Sequence, residues 1–246
     1  MLLKDKVIVI TGASRGIGHD TALLCAEHGA DLVLMARNTS LLEQAAQEIR
    51  AIGGKALPVS CDLTDYTMIP GVIERIVSEF GRIDVWVNNA GISLNVAPED
   101  LTEEMWNTLM DVNLKSVFLW SQAAYRQMMK QKSGRLIHIS SIGGQKGARN
   151  NGVHYVASKG GIIAMSKGLA LTGAPYGITS NTICPGLVDT DMAVELGFDE
   201  AYISQVPLKR LATGRDIGGA VVYLSSALSD YVTGATLDVN GGLYLR

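Results

Sequence analysis

Short aliphatic runs alternate with longer segments of helical period along almost the whole of this chain, and this alternation is what most constrains its fold. A regular strand–helix alternation predicts strands that pair in parallel, each connected to the next through a helix. Several runs, such as Val7 to Ile10, are continuously apolar, as expected for strands covered by helices on both faces. The fold class is therefore α/β, with a doubly wound parallel sheet as the buried middle layer.

The same pattern predicts the individual elements. Strands are expected at residues 7–10, 31–36, 56–60, 83–88, 135–140, 179–184 and 236–239, and helices at 17–28, 41–52, 69–80, 103–131, 155–174 and 216–226. Asp65 and Thr102 are expected to be N-caps, and Gly29 and Gly81 to follow helix ends. No linker or repeat interrupts the alternation, so residues 1–246 are predicted to form a single domain.

One stretch, at about residues 190–212, breaks the rhythm with short, weakly periodic pieces. A long irregular insertion in a compact domain is usually functional, so we expect a substrate lid there. Its apolar side chains would line either a substrate pocket or a contact between subunits: Met192, Val194, Leu196 and Phe198.

Composition excludes several classes of function. The chain is 47% hydrophobic and carries a net charge of −3, so it has material for a core and no excess positive charge for nucleic acid or an anionic membrane. No apolar run approaches the roughly 18 residues that span a bilayer, and none at the start is long enough for a signal peptide. The three cysteines and four histidines are scattered, which favours reduced thiols in the cytoplasm and no metal site.

A glycine-rich turn, Gly12-Ala13-Ser14-Arg15-Gly16-Ile17-Gly18, lies between the first expected strand and the first expected helix. Glycine lets the backbone approach a pyrophosphate, and the helix N-terminus supplies free N–H groups. The spacing is GxxxGxG rather than GxGxxG, and a purely structural tight turn is the alternative. Its position between strand and helix favours a dinucleotide site.

The end of the second expected strand bears on the choice of nucleotide. A carboxylate there would accept hydrogen bonds from the ribose of NAD, whereas an arginine would meet the extra phosphate of NADP. The sequence reads Ala36-Arg37-Asn38, and Arg15 is a second candidate cation. NADP(H) is therefore favoured over NAD(H), although both arginines could equally be ordinary solvated side chains.

Two further strand ends point to the same crevice, because ligands in open α/β sheets bind beyond the carboxyl ends of the strands. Asp62 and Leu63 follow the third strand, where Asp62 could accept from the adenine amino group or cap the next turn. Asn89, Ala90 and Gly91 follow the fourth, after an Asn88 whose expected role is structural.

Tyr155 and Lys159 are spaced i,i+4 and so share a helix face. A phenol with a pKa near ~10 is a poor acid–base catalyst at neutral pH. A neighbouring cation favours the phenolate, so Lys159, together with a positively charged oxidised nicotinamide, is expected to lower that pKa. Ser140 and Ser141 close the fifth strand, from which a hydroxyl could reach the same substrate carbonyl. Taken alone, a tyrosine and a lysine at this spacing are as often an exposed surface pair as part of an active site.

Together these motifs resemble the short-chain dehydrogenases/reductases, over the whole chain. The resemblance implies a Rossmann fold with a seven-stranded sheet and a catalytic tetrad of Asn113, Ser141, Tyr155 and Lys159. In that family the tyrosine is the general acid/base, the lysine lowers its pKa and holds the nicotinamide ribose, the serine polarises the carbonyl, and the asparagine positions a water. The long helices that build the family's tetramers also imply a homotetramer here.

Pro185-Gly186-Leu187-Val188-Asp189-Thr190 resembles the family's PGxxxT motif. The resemblance places the Val188 backbone at the cofactor carboxamide and Thr190 near the carboxamide or phosphates. The loop 142–154 is one residue longer than is usual between the serine and the tyrosine. Either this loop bulges, or Ser140 matters more than the resemblance implies; Ser141 is kept as the site serine because it matches the second serine of the family's pair.

Within the family, the chain is most similar to the 3-oxoacyl-(acyl-carrier-protein) reductases, which hold the carrier with basic residues on two long helices. Lys130 and Lys132 end one such helix, but the other ends without a basic residue. The loop that contains Lys146 and Arg149 could offer cations to an anionic substrate or be merely solvated.

The leading hypothesis is an NADPH-dependent enzyme that reduces a carbonyl, 3-oxoacyl or a related ketone, to an alcohol, or catalyses the reverse. A dehydrogenase of a small alcohol, sugar or steroid is the rival in the same class. A non-catalytic nucleotide-binding regulator is the rival from another class. The expected partner is a small carbonyl or alcohol substrate, carrier-bound or free.

Overall fold

A computed structural model describes residues 1–148, 152–190 and 200–245 of the chain. Seven parallel strands form one sheet: β1 (Val7–Thr11), β2 (Asp31–Ala36), β3 (Ala56–Ser60), β4 (Val85–Asn88), β5 (Gly134–Ile139), β6 (Ile178–Pro185) and β7 (Thr236–Val239). The strand order is β3-β2-β1-β4-β5-β6-β7. The order reverses between β1 and β4, which is the switch point where open α/β sheets bind ligands.

Helices cover both faces of the sheet. They are α1 (Gly16–Glu27), α2 (Thr39–Ala51), α3 (Ile69–Phe80), α4 (Glu103–Met110), α5 (Ser116–Gln131), α6 (Gly143–Lys146), α7 (Gly152–Gly173), α8 (Glu200–Gln205) and α9 (Gly214–Ser225). None of those in the described residues is both long and apolar enough to cross a membrane. The single-domain α/β fold expected from the strand–helix alternation is thus confirmed.

Alternate residues of β1 pack into two separate hydrophobic cores, one on each face of the sheet. Ile8 and Ile10 point to one face, where α1, α2 and α9 pack, and Val7 and Val9 point to the other. On that second face the buried indole rings of Trp86 and Trp120 join the core. The period-2 alternation of a strand explains why an all-apolar strand needs cover on both sides.

Several predicted element ends match the structure. Asp65 caps the short turn before α3 by accepting from the Thr67 N–H at 3.1 Å, and Thr102 caps α4 by accepting from the Met105 N–H at 3.2 Å. Gly29 and Gly81 both have positive φ, of 91° and 75°, as expected of residues that follow helix ends.

Other elements have the expected approximate positions and differ in detail. The helix expected over 103–131 contains a π-helical turn, Asp111–Lys115, between α4 and α5. The strand expected from residue 83 begins at 85, and the short α6 was not expected. Helix α9 begins two residues earlier than expected, since Thr213 and Asp216 form a capping box.

The stretch expected to form a lid is only partly described. Residues 191–199, which include Met192, Val194, Leu196 and Phe198, lie outside the described residues, as do Arg149 and Asn150. The described remainder contains α8 and a parallel bridge between Val188 and Ala212. The lid therefore stays a prediction.

Candidate active site

The glycine turn between β1 and α1 is packed tightly against the end of β4. Its Gly12 N–H donates to the Met35 carbonyl at 2.7 Å, which ties the turn to β2. A Cβ on Gly12, where φ is +67°, would lie 2.9 Å from Ala90 Cα, and one on Gly18 would lie 2.2 Å from the Gly12 oxygen. Glycine is thus required at both positions by the close approach of two backbone segments.

The N-terminus of α1 has the features of an anion site. Its N-cap residue is Arg15, no side chain caps it, and its first turn holds no acidic residue. The first N–H groups of an uncapped helix lack intrahelical partners and carry a partial positive charge. The turn formed by Ser14, Gly16 and Ile17 therefore fits the pyrophosphate of a dinucleotide.

Charged side chains at the ends of β2 and β3 lie close together. Arg15 and Arg37 are both exposed. The Asp62 carboxylate accepts from the Thr64 N–H at 2.9 Å and from its hydroxyl at 2.7 Å through one oxygen. These two hydrogen bonds, and then the charge of Arg37, lower the pKa of Asp62. Asp62 thus makes the local turn that was one of its two expected roles.

The segment after β4 holds the glycine turn in place. The Asn89 side chain donates to the carbonyls of Thr11 at 3.0 Å and Gly12 at 3.2 Å, while the N–H groups of Asn89 and Ala90 donate to the Thr11 hydroxyl. A Cβ on Gly91 would lie 3.4 Å from Lys159 Nζ. This segment therefore connects the phosphate-binding turn with the expected catalytic lysine.

Asn88 is buried in a hydrogen-bonded network, as its expected structural role requires. Its amide nitrogen lies 2.8 Å from the Ser121 hydroxyl and 3.0 Å from His138 Nδ1. The other ring nitrogen of His138 lies 3.2 Å from the Ser180 hydroxyl. Burial lowers the pKa of His138 to about 4, so the ring is neutral at physiological pH.

Tyr155, Lys159 and Ser141 converge at the end of β5. The Tyr155 side chain is buried, and the Ser141 hydroxyl is close enough to its phenol to lower the phenol's pKa. Lys159 Nζ lies 5.7 Å from the centre of the Tyr155 ring and donates to the Ile139 carbonyl at 3.0 Å. The fold thus gathers a phenol, an ammonium and a hydroxyl in one place.

Lys159 is not among the groups that set the pKa of Tyr155 in the protein by itself, so its expected effect together with an oxidised nicotinamide stays a prediction. Burial is the largest effect and raises the pKa of Tyr155, outweighing the hydrogen bond from Ser141. Burial also lowers the pKa of Lys159, to about 8. Both changes follow from the cost of placing charge in a poorly solvated site. The phenol is therefore protonated at neutral pH, which suits a proton donor.

The two adjacent serines have different surroundings. The Ser140 hydroxyl donates to the Lys159 carbonyl at 2.8 Å and is buried. The Ser141 hydroxyl accepts from the Gly143 N–H at 3.0 Å and lies beside the Tyr155 phenol. The arrangement favours Ser141 as the site serine, with Ser140 supporting the α7 backbone.

Asn113 lies in the π turn and uses its side-chain amide on the loop after β4. Its oxygen accepts from the Ile92 N–H at 2.8 Å, and its nitrogen donates to the Ile92 carbonyl at 2.8 Å. The same nitrogen is 3.4 Å from the Ser158 hydroxyl, which donates to the Tyr155 carbonyl. The amide therefore orients the loop, and its expected role in positioning a water stays a prediction. Ser158 was missed, and its only signal is its position three residues after Tyr155.

The segment after β6 reaches the glycine turn. A Cβ on Gly16 would lie 3.4 Å from Thr190 Cγ2, and the Thr190 hydroxyl donates to the Val188 carbonyl at 3.4 Å. The Pro185 carbonyl accepts from the Ile142 N–H at 3.1 Å, and the Gly186 N–H donates to Val239. The motif expected to contact the cofactor thus lies between the phosphate turn and Ser141.

Within the described ranges, no three His, Cys, Asp or Glu side chains cluster as metal ligands.

A dinucleotide crevice that leads to a tyrosine, a lysine and a serine defines a class of protein: an oxidoreductase that uses a nicotinamide cofactor and acts between C–OH and C=O.

The chain belongs to the short-chain dehydrogenase/reductase family. Residues 12–244 match the family model described as Enoyl-(Acyl carrier protein) reductase. The chain is 40% identical to the 3-oxoacyl-(acyl-carrier-protein) reductases FabG of Vibrio cholerae and Escherichia coli, over 100% of each chain. A crystal structure of a short-chain type dehydrogenase/reductase from Mycobacterium marinum superposes with a TM-score of 0.95 at 36% identity, over 99% of this chain and 97% of that one.

Proposed function

We propose that this protein is an NADPH-dependent reductase of 3-oxoacyl thioesters and related ketones. The observation that carries the proposal is the convergence of Ser141, Tyr155 and Lys159 at the end of β5, next to Gly91 on the nucleotide side. The full-length similarity to 3-oxoacyl-(acyl-carrier-protein) reductases supports the substrate class.

A nicotinamide cofactor, when bound, would supply the hydride for this reaction. Tyr155 donates its phenolic proton to the carbonyl oxygen as the negative charge develops there, and its raised pKa keeps that proton in place beforehand. Ser141 donates a hydrogen bond to the same oxygen. Lys159 provides positive charge beside the phenolate that forms and hydrogen bonds for the ribose.

Replacing Tyr155 by phenylalanine tests the chemistry. We expect turnover of 3-oxoacyl thioesters to fall by about 10²–10⁴-fold, the usual contribution of a general acid, with NADPH affinity largely unchanged. The matched control is Tyr223→Phe, at a partly exposed tyrosine on α9. A Tyr155→Phe enzyme that keeps half its activity would overturn the proposal. Faster reduction of 2-enoyl thioesters by the wild type would favour the reaction that the family model's description names.

The preference for NADPH is supported by Arg37, an exposed cation at the end of β2 whose field reaches Asp62. Arg37→Asp should shift the ratio of kcat/KM values from NADPH toward NADH, because a carboxylate repels the 2′-phosphate and accepts from the ribose hydroxyls. Arg75→Asp makes the same charge change on the exposed face of α3 and should leave the ratio unchanged. An unaltered preference in Arg37→Asp would show that Arg37 does not contact the phosphate.

We also propose a homotetramer in the cytoplasm, with a carrier-bound or free acyl substrate. Phe118 on α5 and Leu171 on α7 are large apolar side chains exposed by 40% and 80%, as expected at subunit contacts. The three cysteines are buried free thiols, which suits a reducing compartment. Light scattering during size-exclusion chromatography measures the assembly, and a monomer would contradict it.

A further inference from the structure

Two tryptophans link the loop after β3, where the adenine is expected, to the end of β4. Trp86 of β4 and Trp120 of α5 stack, with ring centres 5.9 Å apart and planes inclined by 15°. Both are essentially inaccessible to solvent, at 0% and 1% exposure. A stacked pair of buried rings is a rigid spacer, because neither ring can change rotamer without displacing its neighbours.

The indole N–H of Trp120 holds the loop after β3, whereas that of Trp86 binds the last residue of its own strand, β4. Trp120 Nε1 donates to the Leu63 carbonyl at 2.9 Å, just after β3. Trp86 Nε1 donates to Asn88 Oδ1 at 3.0 Å, at the end of β4. The residues next to these acceptors are Asp62 and Asn89, which begin the two segments expected to meet the cofactor. The stacked pair therefore ties the loop after β3 to the end of β4.

A second contact holds the same loop to the same helical region. The Tyr66 hydroxyl donates to the Asp111 carbonyl at 3.4 Å, in the π turn, and Lys115 Nζ lies 5.1 Å from the centre of the Tyr66 ring. The loop after β3 is exposed at Asp62 and has no regular structure of its own until Tyr66. Its position thus depends on α5 and the π turn as well as on its own local turn at Asp62.

We propose that Trp120 is a positioning residue for the adenosine half of the cofactor, acting through the Leu63 carbonyl, with Trp86 supporting its ring. The inference rests on the proposed function in that a dinucleotide lies along this edge of the sheet. Trp120 is itself too deeply buried to contact the cofactor, so it acts by fixing the loop before the nucleotide arrives. Preorganisation of this kind reduces the ordering cost of binding.

The Trp120→Phe variant keeps an aromatic ring and removes the N–H donor. We expect its affinity for adenosine 2′,5′-bisphosphate, measured by calorimetry, to fall about 5–10-fold, the usual effect of losing one hydrogen bond. The KM for NADPH should rise in parallel, with kcat at saturating NADPH unchanged. The matched control is Trp106→Phe, at a tryptophan on α4 that is 37% exposed, and it should behave as the wild type.

Wild-type affinity for the bisphosphate in folded Trp120→Phe would overturn the proposal. So would a fall in kcat as large as the fall in affinity, since the substitution would then loosen the whole site. If Trp120→Phe does not fold, the three ¹⁵N-labelled indoles of the wild type provide the test. The Trp120 indole N–H, assigned with Trp86→Phe and Trp106→Phe, should already exchange slowly with D₂O in the nucleotide-free protein while that of Trp106 exchanges fast, and fast exchange at Trp120 that slows only when the bisphosphate is added would overturn the proposal.

The binding measurement with adenosine 2′,5′-bisphosphate also separates the role proposed for Trp120 from the proposed preference for NADPH. A wild type that binds 5′-AMP more tightly than the bisphosphate would contradict the NADPH preference. The comparison between Trp120→Phe and Trp106→Phe would then be made with 5′-AMP, and it would still test the positioning role.

Discussion

Replacing Lys159 by methionine should stabilise the cofactor-free protein at neutral pH while abolishing its activity. Lys159 is buried, with 5% of its surface exposed. Among the described residues its ammonium donates to the carbonyl of Ile139, rather than to a carboxylate. The fold therefore holds a poorly compensated charge at the position where the proposed reaction needs one.

The magnitude follows from the pKa of Lys159, which burial lowers from 10.5 to about 8. Keeping the folded lysine charged at pH 7 thus costs about 3 kcal/mol, at 1.36 kcal/mol per pKa unit. Methionine fills a similar apolar volume but leaves the Ile139 carbonyl without its donor, which costs about 1 kcal/mol. The net gain is about 2 kcal/mol, or about 4–8 °C in Tm for a chain of this size.

The gain should depend on pH in a defined direction. Between pH 8 and 10.5 the folded lysine binds fewer protons than the unfolded one, so the stability of the wild type rises across that window. By pH 10.5 the charge no longer has to be buried, and the advantage of methionine should have disappeared. The difference between the two proteins, rather than either curve alone, isolates the contribution of this lysine.

Urea unfolding followed by circular dichroism at pH 7 and pH 10 measures this difference. The matched control is Lys167→Met, at an exposed lysine two turns further along α7, where the same substitution should change stability little at either pH. A Lys159→Met protein less stable than the wild type at pH 7 would show that the ammonium is well solvated or paired, and the reasoning would fail.

Three further predictions follow from buried or crowded residues. The folded pKa of His138 is about 4, against an ordinary value of 6.5, so the wild type should lose stability as the pH falls from 6.5 to 4. In an acid titration followed by circular dichroism, His138→Asn should lose less stability over this range. Equal losses in the two proteins would contradict the burial argument. Gly18→Ala should fold but bind NADPH at least about 10-fold more weakly in calorimetry, since its Cβ would overlap the Gly12 carbonyl, and wild-type affinity would show that the turn can shift freely. His154→Phe should keep or raise the Tm, because both nitrogens of this buried ring lack hydrogen-bond partners among the described residues; a drop of several degrees would reveal a partner.

The amino-acid sequence by itself determined the layer order of the fold and the edge of the sheet that carries the site. The apolar strands, the capping residues and the glycine turn are local signals, so their meaning does not depend on distant residues. The spacing of Tyr155 and Lys159 likewise predicted a shared helix face, which the geometry of α7 realises.

The tertiary structure alone decided the matters that depend on contacts between distant segments. The π turn at Asn113 forms where an amide from one helix satisfies the backbone of the loop after β4. The pKa of Tyr155 is raised because several elements together bury its side chain. The hydrogen bond from Trp120 joins two segments that lie 57 residues apart in the sequence. Desolvation and long-range pairing are properties of the packed chain, so no local pattern of residues carries them.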